Sequence, residues 1–253
     1  MPNMDQRVAV VTGAMRGVGF GIAQEFVEQG ADVVLTDIDQ KGLDDAVAQL
    51  GPKSSGIVAD VTNAAQMKAV FQTVIDTHGH VDGVVANAGV GDSAPLGSIT
   101  EAQFDKIYNV NVKGVLFTIQ GALPHLRPGA TVLAIGSTGS IQAQYGMSLY
   151  CGSKAALRGA LRAWVIELKG TGVRINLLSP GAVDTPSLRL AFAGASGADQ
   201  VDAKIKAMGE ENPLGRLVTT DDIAKAAAFL SSAASSGTTG IELFVDGGVA
   251  QTG

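Results

Sequence analysis

The sequence is poor in charge, in cysteine and in basic clusters. Only 17% of its 253 residues are charged, the net charge is -6, and Cys151 is the single cysteine. One cysteine can form neither an internal disulfide nor the paired ligand spacing of a zinc site. An acidic chain without a run of Lys and Arg is also a poor match for phosphate backbones or anionic membranes. We therefore expect no metal, no nucleic-acid partner and no membrane partner.

Long apolar runs are missing as well. No stretch approaches the ~20 apolar residues that a membrane-spanning helix requires. The N-terminal "MPNMDQR" leads into a short apolar run and then the polar "TGAMRG", which is unlike the hydrophobic region of a signal peptide. Hydrophobic residues make up 46% of the chain, enough for one large core. We expect a cytoplasmic protein that folds as a single domain over residues 1–253.

Short β-branched runs alternate along the chain with helical patterns. The runs are continuously apolar, which is typical of strands covered on both faces. Between them, apolar residues recur at steps of three and four, as they do on one face of a helix. This order predicts an α/β fold, a doubly wound parallel sheet of about seven strands with helices on both faces. The predicted strands lie at 8–14, 31–37, 55–61, 81–89, 130–137, 173–181 and 241–248.

One segment near the C-terminus breaks this alternation. It follows Thr185-Pro186, is only weakly helical, contains the flexible "AGASGAD", and is followed by one more strand. Long loops in such folds often act as lids over the substrate. We expect a mobile substrate lid at about 187–212, and the alternative is a surface excursion without a function.

Glycines cluster where the first predicted strand meets the first helix. The stretch "TGAMRGVG" places Gly13, Gly17 and Gly19 at this turn. Glycines let the backbone approach a pyrophosphate, which then binds the N–H groups at the positive end of the helix. Asp37 ends the second strand, 18 residues after Gly19. An acid about 20 residues on is expected to hydrogen-bond the adenosine ribose, so the pattern predicts a dinucleotide site.

The same acid bears on which dinucleotide is bound. A carboxylate at Asp37 would repel the 2′-phosphate of NADP, because like charges at a buried contact cost several kcal/mol. Arg16 in the glycine turn could instead reach a phosphate, and Asp37 could be a solvated acid at a strand end. We predict NAD as the cofactor, with NADP less favoured.

Two further strand ends are candidates for the cofactor site. Asp60-Val61 follows the third strand, where it could contact adenine, and Asn87-Ala88-Gly89 closes the fourth. A turn-forming role is nearly as good an interpretation, because Asn, Asp and Gly favour turns.

A tyrosine and a lysine share one face of a helix predicted at 148–169. Tyr150 and Lys154 are four residues apart, so their side chains lie one turn apart. A phenol titrates near ~10, and a nearby ammonium, joined by the positive nicotinamide ring, should lower that pKa. The pair could then exchange a proton with an alcohol or ketone oxygen. Ser137 ends the fifth strand, where ligands bind in such sheets, and its hydroxyl could hold the substrate oxygen.

With these motifs in order, the chain resembles the short-chain dehydrogenase/reductase family over nearly its whole length. The family's TGxxxGxG, NAG and closing-strand motifs are matched by 12–19, 87–89 and 245–248. Its Asn-Ser-Tyr-Lys tetrad is matched by Asn111, Ser137, Tyr150 and Lys154. Pro180-Gly181 with Thr185 matches the segment that touches the nicotinamide carboxamide. The departure is Cys151-Gly152, where the family more often has Ser or Ala and where the glycine should loosen the helix.

The resemblance implies a Rossmann-like fold and hydride transfer between NAD(H) and a secondary alcohol or ketone. Tyr150 would be the general acid/base, Lys154 would bind the nicotinamide ribose and lower the pKa of Tyr150, and Ser137 would orient the substrate. Asn111 would hold a water that extends a proton relay past Lys154. The family also tends to form homotetramers through the tyrosine-bearing helix and the last strand. The predicted cofactor-binding residues are Gly13, Arg16, Gly17, Val18, Gly19, Asp37, Ile38, Asp60, Val61, Asn87, Ala88, Gly89, Tyr150, Lys154, Pro180, Gly181, Val183 and Thr185.

Two alternatives stay open beside an NAD-dependent alcohol dehydrogenase or carbonyl reductase. A non-catalytic dinucleotide-binding redox sensor would use the same glycine turn but would have no use for the tyrosine and lysine. Dehydration or epimerisation of a nucleotide sugar would keep the fold, but relatives of that kind usually have longer C-terminal domains. Candidates to line the substrate pocket, or to pack, are Gln144, Tyr145, Leu188 and Phe192.

Overall fold

Strands and helices alternate along the chain. The computed structural model describes residues 4–252, except for the side chains of Ser187, Ala191, Phe192, Ala195, Ser196 and Ala198. Within that range the strands are β1 (Val8–Thr12), β2 (Asp32–Asp37), β3 (Ser54–Val58), β4 (Val81–Ala86), β5 (Leu126–Ile135), β6 (Arg174–Pro180) and β7 (Glu242–Val245). The helices are α1 (Gly17–Glu28), α2 (Gln40–Leu50), α3 (Ala64–His78), α4 (Glu101–Tyr108), α5 (Val115–Ala122), α6 (Ser148–Glu167), α7 (Pro186–Ser196), α8 (Val201–Glu211), α9 (Thr220–Ser231) and α10 (Val249–Thr252).

The described strands form one parallel sheet. Its order is β3-β2-β1-β4-β5-β6-β7, and every neighbouring pair is parallel. The chain passes from β1 to β2 and β3 on one side and then crosses to β4 on the other. Ligands of such sheets bind at this reversal, beyond the carboxyl ends of the strands. The predicted Rossmann-like, doubly wound sheet of seven strands is confirmed.

The core lies on both faces of the sheet. Because successive residues of a strand point to opposite faces, Val11 packs with Phe26 of α1 on one face. Its neighbour Val10 packs with Phe71 of α3 on the other face. Both phenylalanines are fully buried, and each such burial stabilises the fold by about 1.5–3 kcal/mol. The helical layers therefore hold the central strands whose ends carry the predicted site.

The two edge strands differ from the sequence-based expectation. We expected strands covered on both faces, but β3 exposes Ser55, Gly56 and Val58, and the residues of β7 are only half-buried. For β3 and β7 that expectation is wrong, because each has a strand neighbour on one side only. Six of the seven predicted runs extend past the last residue of their strand, and the extra residues form the turns that follow. The run at 31–37 ends with β2, and β5 begins at Leu126, four residues before its predicted run.

Helix α6 is the longest of the described helices, with 20 residues. Leu157 and Leu161 bury one of its faces against the sheet. Between residues 4 and 252, no helix combines the length and the apolar character needed to cross a bilayer. Over the same residues, no group of three or more His, Cys, Asp or Glu is arranged to hold a metal ion.

Candidate active site

The predicted site residues converge on one edge of the sheet. Thr12, Asp37, Ala86, Ile135 and Pro180 are the last residues of β1, β2, β4, β5 and β6. Each of these ends carries one predicted part of the site: the glycine turn, Asp37, the Asn-Ala-Gly turn, Ser137 and the Pro-Gly segment. Because the strands are parallel, these ends lie side by side, and the structure brings the predicted residues together.

The glycine turn packs closely against the segment after β4 and leads into the start of α1. Gly13 and Gly17 have φ of 64° and 63°, which favours glycine. A Cβ at Gly13 would lie 2.8 Å from Ala88 Cα. A Cβ at Gly19 would overlap the Asn87 amide and the Gly13 carbonyl. Helix α1 has no acidic residue in its first turn, so its N–H groups are open to an anion. The turn fits a dinucleotide.

Asn87 holds the glycine turn in place. Its Nδ2 donates to Thr12 O at 2.9 Å and to Gly13 O at 3.0 Å. Thr12 Oγ1 in turn accepts the N–H groups of Asn87 and Ala88, each at 3.1 Å. Both amide donors of Asn87 are therefore used inside the protein. The Asn87 side chain therefore matches the turn-forming interpretation of this motif, because it holds the glycine turn in position.

Asp37 lies beside the glycine turn. Its Oδ2 accepts the Met15 N–H at 3.3 Å, and its Oδ1 accepts the Ile38 N–H at 2.8 Å. Each carboxylate oxygen can accept a further hydrogen bond, so ribose hydroxyls can still be bound. The Ile38 side chain is 70% exposed and Arg16 is exposed too. Asp37 thus places a negative charge beside the glycine turn, and Arg16, the residue after Met15, is exposed to solvent.

The two residues that follow β3 have different environments. Asp60 Oδ1 accepts the Thr62 N–H at 2.8 Å, which makes a local turn. Val61 is only 7% exposed, and a Cβ at Gly114 would lie 2.7 Å from Val61 Cγ2. Val61 therefore packs against the backbone of the π-helical segment, Asn109–Gly114. Asp60 forms a turn, as the alternative interpretation predicted, and Val61 lies mainly in the core.

The segment after β6 approaches the glycine turn from the other side. Gly181 allows close contact with the last strand, because a Cβ there would lie 2.8 Å from Asp246 Cβ. Val183 is buried and pairs with Val218 in an isolated bridge. A Cβ at Gly17 would lie 3.9 Å from Thr185 Cγ2. Residues from both halves of the chain therefore border the same groove.

Asn111 lies in the π-helical segment and is fully buried. Its Oδ1 accepts the Val90 N–H at 2.8 Å, and its Nδ2 donates to Val90 O at 2.9 Å and to Ser153 Oγ at 3.0 Å. Ser153 Oγ donates to Tyr150 O at 2.7 Å. The Asn111 side chain thus clamps the loop after β4 and the first turn of α6. Its two amide donors are not available for a water.

Ser137, Tyr150 and Lys154 form one cluster. The Ser137 hydroxyl lies beside the Tyr150 ring, since a Cβ at Gly139 would lie 3.4 Å from both Ser137 Oγ and Tyr150 Cε1, and it accepts the Gly139 N–H at 3.1 Å. Lys154 Nζ lies 5.7 Å from the centre of the Tyr150 ring and donates to Ile135 O at 2.8 Å. An ammonium has three donors, and among the described residues no other hydrogen bond from this one is present. The cluster matches the predicted arrangement of hydroxyl, phenol and cation.

Burial changes the pKa of both Tyr150 and Lys154. Burial raises this pKa, and the hydrogen bond from Ser137 acts in the opposite direction without reversing the rise. Burial also lowers the pKa of Lys154 to about 8. The expectation that the ammonium and the nicotinamide ring together lower the pKa of Tyr150 concerns the cofactor-bound protein. Without the cofactor, desolvation outweighs the effect of Ser137 and the pKa is raised.

The departure from the family pattern at Gly152 has a local cause. A Cβ at Gly152 would lie 2.8 Å from the Tyr108 hydroxyl of α4. Tyr108 itself stacks on Phe104, with ring centres 4.4 Å apart. The glycine makes room for this hydroxyl, so α4 and α6 pack closely at this point. The expectation from the sequence was instead that the glycine loosens the helix. Beside it, Cys151 Sγ lies 3.7 Å from Gln142 O.

The predicted lid consists of α7 and α8. Thr185 Oγ1 accepts the Leu188 N–H at 3.3 Å and caps α7. Arg189 of α7 pairs with Asp184 at 2.7 Å and with Asp202 at 2.9 Å. Among the pocket candidates, Gln144 and Tyr145 are exposed and Leu188 is half-buried, whereas the Phe192 side chain lies outside the described residues.

Two surface cavities border this region without reaching the cluster. One, of about 580 Å³, includes Asp184, Gly209 and Thr220 in its lining. The other, of about 610 Å³, lies along the end of β7. Neither is lined by Ser137 or Tyr150, so the site is identified by its side-chain chemistry and not by a cavity.

The sequence analysis missed the roles of three residues at this edge. They are Thr12, Ser153 and Glu242, and each acts by a hydrogen bond to a distant segment. Thr12 lies in the turn motif at 12–19, but its hydrogen bonds to the segment after β4 were not predicted. For Ser153 and Glu242 the spacing carries no signal.

Comparison with known proteins agrees with this geometry. A family model described as enoyl-(acyl carrier protein) reductase matches residues 13–250. Over 251 residues the chain is 37% identical to a short-chain dehydrogenase/reductase of Arabidopsis thaliana, covering 97% of this chain and 95% of that one. It is 33% identical over 251 residues to galactitol 2-dehydrogenase of Agrobacterium fabrum, covering 97% and 98%.

A solved structure matches the fold over the same length. It is 3-ketoacyl-(acyl-carrier-protein) reductase from Brucella melitensis complexed with NADH, with 30% identity, a TM-score of 0.86, and coverage of 98% of this chain and 100% of that one. Because relatives above 30% identity and a family model span nearly the whole chain, this protein belongs to the short-chain dehydrogenase/reductase family of oxidoreductases, which bind a nicotinamide dinucleotide.

Proposed function

We propose that this protein is an NAD-dependent dehydrogenase or reductase that interconverts a secondary alcohol and a ketone, with Tyr150 moving the proton. The observation that carries the proposal is the placement of the Ser137 hydroxyl and the Tyr150 phenol beside the buried ammonium of Lys154. A bound nicotinamide dinucleotide would supply the hydride acceptor for oxidation and the hydride donor for reduction. The names of two similar proteins, a galactitol 2-dehydrogenase and a 3-ketoacyl reductase, support this substrate class.

Tyr150 would exchange the proton with the substrate oxygen. Since burial raises its pKa, the phenol is protonated at neutral pH and can donate to a carbonyl oxygen. The Ser137 hydroxyl can hydrogen-bond the same oxygen as negative charge develops on it. Oxidation of an alcohol requires the phenolate instead, and positive charge near the ring, from Lys154 and from an oxidised cofactor, favours that form.

A proton relay would continue from Lys154 towards Asn111. A Cβ at Gly89 would lie 3.6 Å from Lys154 Nζ and 3.4 Å from Asn111 Oδ1. The absence of a side chain at Gly89 leaves space between these two groups. Asn111 Oδ1 accepts one hydrogen bond and has a second lone pair, so it can hold a water as an acceptor.

The cofactor would lie along the groove from Asp37 to Thr185. Its pyrophosphate would bind at the glycine turn and the start of α1, where the first turn has no acidic residue and no side-chain cap. Asp37 would accept the ribose hydroxyls and disfavour the 2′-phosphate of NADP. The NADH in the similar reductase structure supports the same preference. The other predicted contacts at the strand ends are part of this proposal.

The segment 187–212 would act as the substrate lid of a single catalytic domain. Arg189 of α7 pairs with Asp184, which precedes the lid, and with Asp202 of α8, which lies inside it. Surface ion pairs of this kind contribute about 0–1 kcal/mol each, which is weak enough for opening. We also propose a cytoplasmic homotetramer, which light scattering would test by giving the mass of four chains.

The experiment that tests the proposed reaction is Tyr150→Phe. Turnover of secondary alcohols such as galactitol with NAD, and of ketones with NADH, is followed by the absorbance of the reduced nicotinamide. We expect the parent protein to turn over at least one member of the panel. Removing the phenol should lower kcat by at least about 10²-fold, while the Kd of NADH, from its fluorescence, stays within about twofold because Phe keeps the ring.

The matched control is Tyr108→Phe, which removes a hydroxyl from the neighbouring helix α4. Its kcat should equal that of the parent. If Tyr150→Phe is as active as Tyr108→Phe, the assignment of the proton to Tyr150 is wrong. If the parent binds NADH but reduces no ketone and oxidises no alcohol, the redox-sensor alternative is favoured.

A further inference from the structure

Glu242 is a buried carboxylate on the edge strand β7. Its side chain is only 7% exposed, although its strand has a neighbour on one side only. Burying a carboxylate is costly unless hydrogen bonds and an opposite charge compensate it. The contacts of this side chain therefore show how the cost of its burial is compensated.

Two hydroxyls and one guanidinium surround the Glu242 carboxylate. Oε1 accepts hydrogen bonds from Ser140 Oγ and from Ser179 Oγ, each at 2.7 Å. Arg158 Nε lies 2.9 Å from Oε2. Among the described residues Oε2 has no hydrogen bond of good geometry, so the positive charge of Arg158 is its main compensation.

Both hydroxyls adjoin the turn that carries Ser137. Ser140 closes this turn, and its N–H donates to Ser137 O at 2.9 Å. Ser179 lies against Gly136, the residue before Ser137, so closely that a Cβ at Gly136 would overlap Ser179 Oγ. The carboxylate thus holds the turn on both sides of Ser137.

Arg158 connects the same carboxylate to the helix of Tyr150. It lies eight residues after Tyr150 in α6, which is about 12 Å along the helix axis. A helix of this length transmits a displacement along its axis as a rigid element. Glu242 is therefore bonded both to the turn that presents the Ser137 hydroxyl and to the helix that presents the phenol.

We propose that Glu242 is a positioning residue, which fixes the Ser137 turn against helix α6 so that the Ser137 hydroxyl stays within hydrogen-bond distance of Tyr150. This inference rests on the proposed function of Ser137 and Tyr150. Reaction rates are sensitive to such geometry, since a misplacement of about 1 Å can cost about 10²-fold. The edge strand β7 is in this way part of the support of the site.

The test compares two arginines that each pair with a buried carboxylate. Arg158→Met removes the cationic partner of Glu242. Arg127→Met removes the arginine partner of Asp82, whose side chain is also 7% exposed and lies 3.1 Å from His80 Nε2 as well. Arg158 and Arg127 are 41% and 55% exposed, so both variants should fold. Asp82 lies on β4 at the opposite end of the sheet from the cluster. Glu242→Gln is the third variant, which keeps an acceptor for the two hydroxyls.

Two readouts separate positioning from stability. The first is kcat, which should fall about tenfold in Arg158→Met and less in Glu242→Gln, with the Kd of NADH within about twofold. The second is the pKa of Tyr150, measured by ultraviolet titration. Because the chain has three tyrosines, the Tyr150 signal is obtained as the difference from the Tyr150→Phe variant. Loosening the Ser137 hydrogen bond should raise the pKa of Tyr150 further. Arg127→Met should change only the Tm.

The proposal requires both readouts to separate Arg158→Met from Arg127→Met. If Arg158→Met and Glu242→Gln lower the Tm but keep the parent kcat or the parent Tyr150 titration, Glu242 is only structural and the proposal is overturned. The titration needs no turnover. If the parent protein proves inactive, the proposed function fails, while the titration still decides whether Glu242 positions Ser137 at Tyr150.

Discussion

The buried charge of Lys154 should make the protein less stable at neutral pH than it would be without it. The side chain is 4% exposed, and burial lowers its pKa from 10.5 to about 8. A pKa difference of this size between the folded and unfolded states lowers the free energy of unfolding by about 3 kcal/mol while the lysine is protonated. We therefore expect Lys154→Met, which keeps the length of the side chain without its charge, to relieve this cost.

The sign follows from counting protons in the two states. Below pH 8 the lysine is protonated in both states, and the folded protein carries the full cost of the buried charge. Between about pH 8 and 10.5 the unfolded chain binds the proton more strongly, so the free energy of unfolding of the parent rises with pH. The cost relieved by the substitution is then about 3 kcal/mol at pH 7 and about 1 kcal/mol at pH 10.

The lost hydrogen bond to Ile135 works in the other direction at every pH. It offsets about 1 kcal/mol, so Lys154→Met should be more stable than the parent by about 2 kcal/mol at pH 7 and nearly equal to it at pH 10. The diagnostic quantity is the change of about 2 kcal/mol between these two values. Urea unfolding at pH 7, 8, 9 and 10, followed by the fluorescence of the single tryptophan, measures it.

A control variant removes an exposed lysine. Lys225 is 65% exposed and pairs with Asp221 at 2.7 Å, so Lys225→Met should change the free energy of unfolding by less than about 0.5 kcal/mol at pH 7. If Lys154→Met and the parent differ in free energy of unfolding by the same amount at pH 7 and pH 10, the buried ammonium does not destabilise the protein, and the reasoning is refuted. A confirmed cost would mean that stability is lost for a group that the proposed reaction requires.

Three other substitutions test the contacts around the site. Gly19→Ala should raise the Kd of NADH at least about tenfold, since the added methyl would overlap the Asn87 amide; fluorescence titration that gives the parent Kd would contradict the fit of the turn to a dinucleotide. Gly152→Ala should lower the Tm, and adding Tyr108→Phe should restore most of the loss, since the clash is with the phenolic oxygen; a double variant as unstable as the single one would show that the helix backbone and not this contact requires glycine. Arg189→Gln should reduce the dependence of the substrate KM on salt, because the lid loses ion pairs that salt screens; an unchanged salt dependence would remove these pairs from the account of the lid.

The sequence could predict the features that depend on spacing along the chain. Continuous apolar runs between helical patterns are enough for a parallel sheet, because only that sheet covers its strands on both faces. The glycine turn at 13–19 and the acid at Asp37 follow strand ends, which such a sheet brings to one edge. Tyr150 and Lys154 are one helical turn apart by their spacing alone.

The tertiary structure decided what depends on burial and on contacts between distant segments. The raised pKa of Tyr150 in the protein without cofactor could not be predicted from spacing, since desolvation depends on everything packed around the phenol. The use of the Asn87 amide as a brace depends on β1, which lies about 75 residues earlier in the chain. Glu242 meets Ser140 across 102 residues. Spacing specifies neighbours along a helix or strand, but only the folded chain determines which side chains lose water and which distant groups then satisfy them.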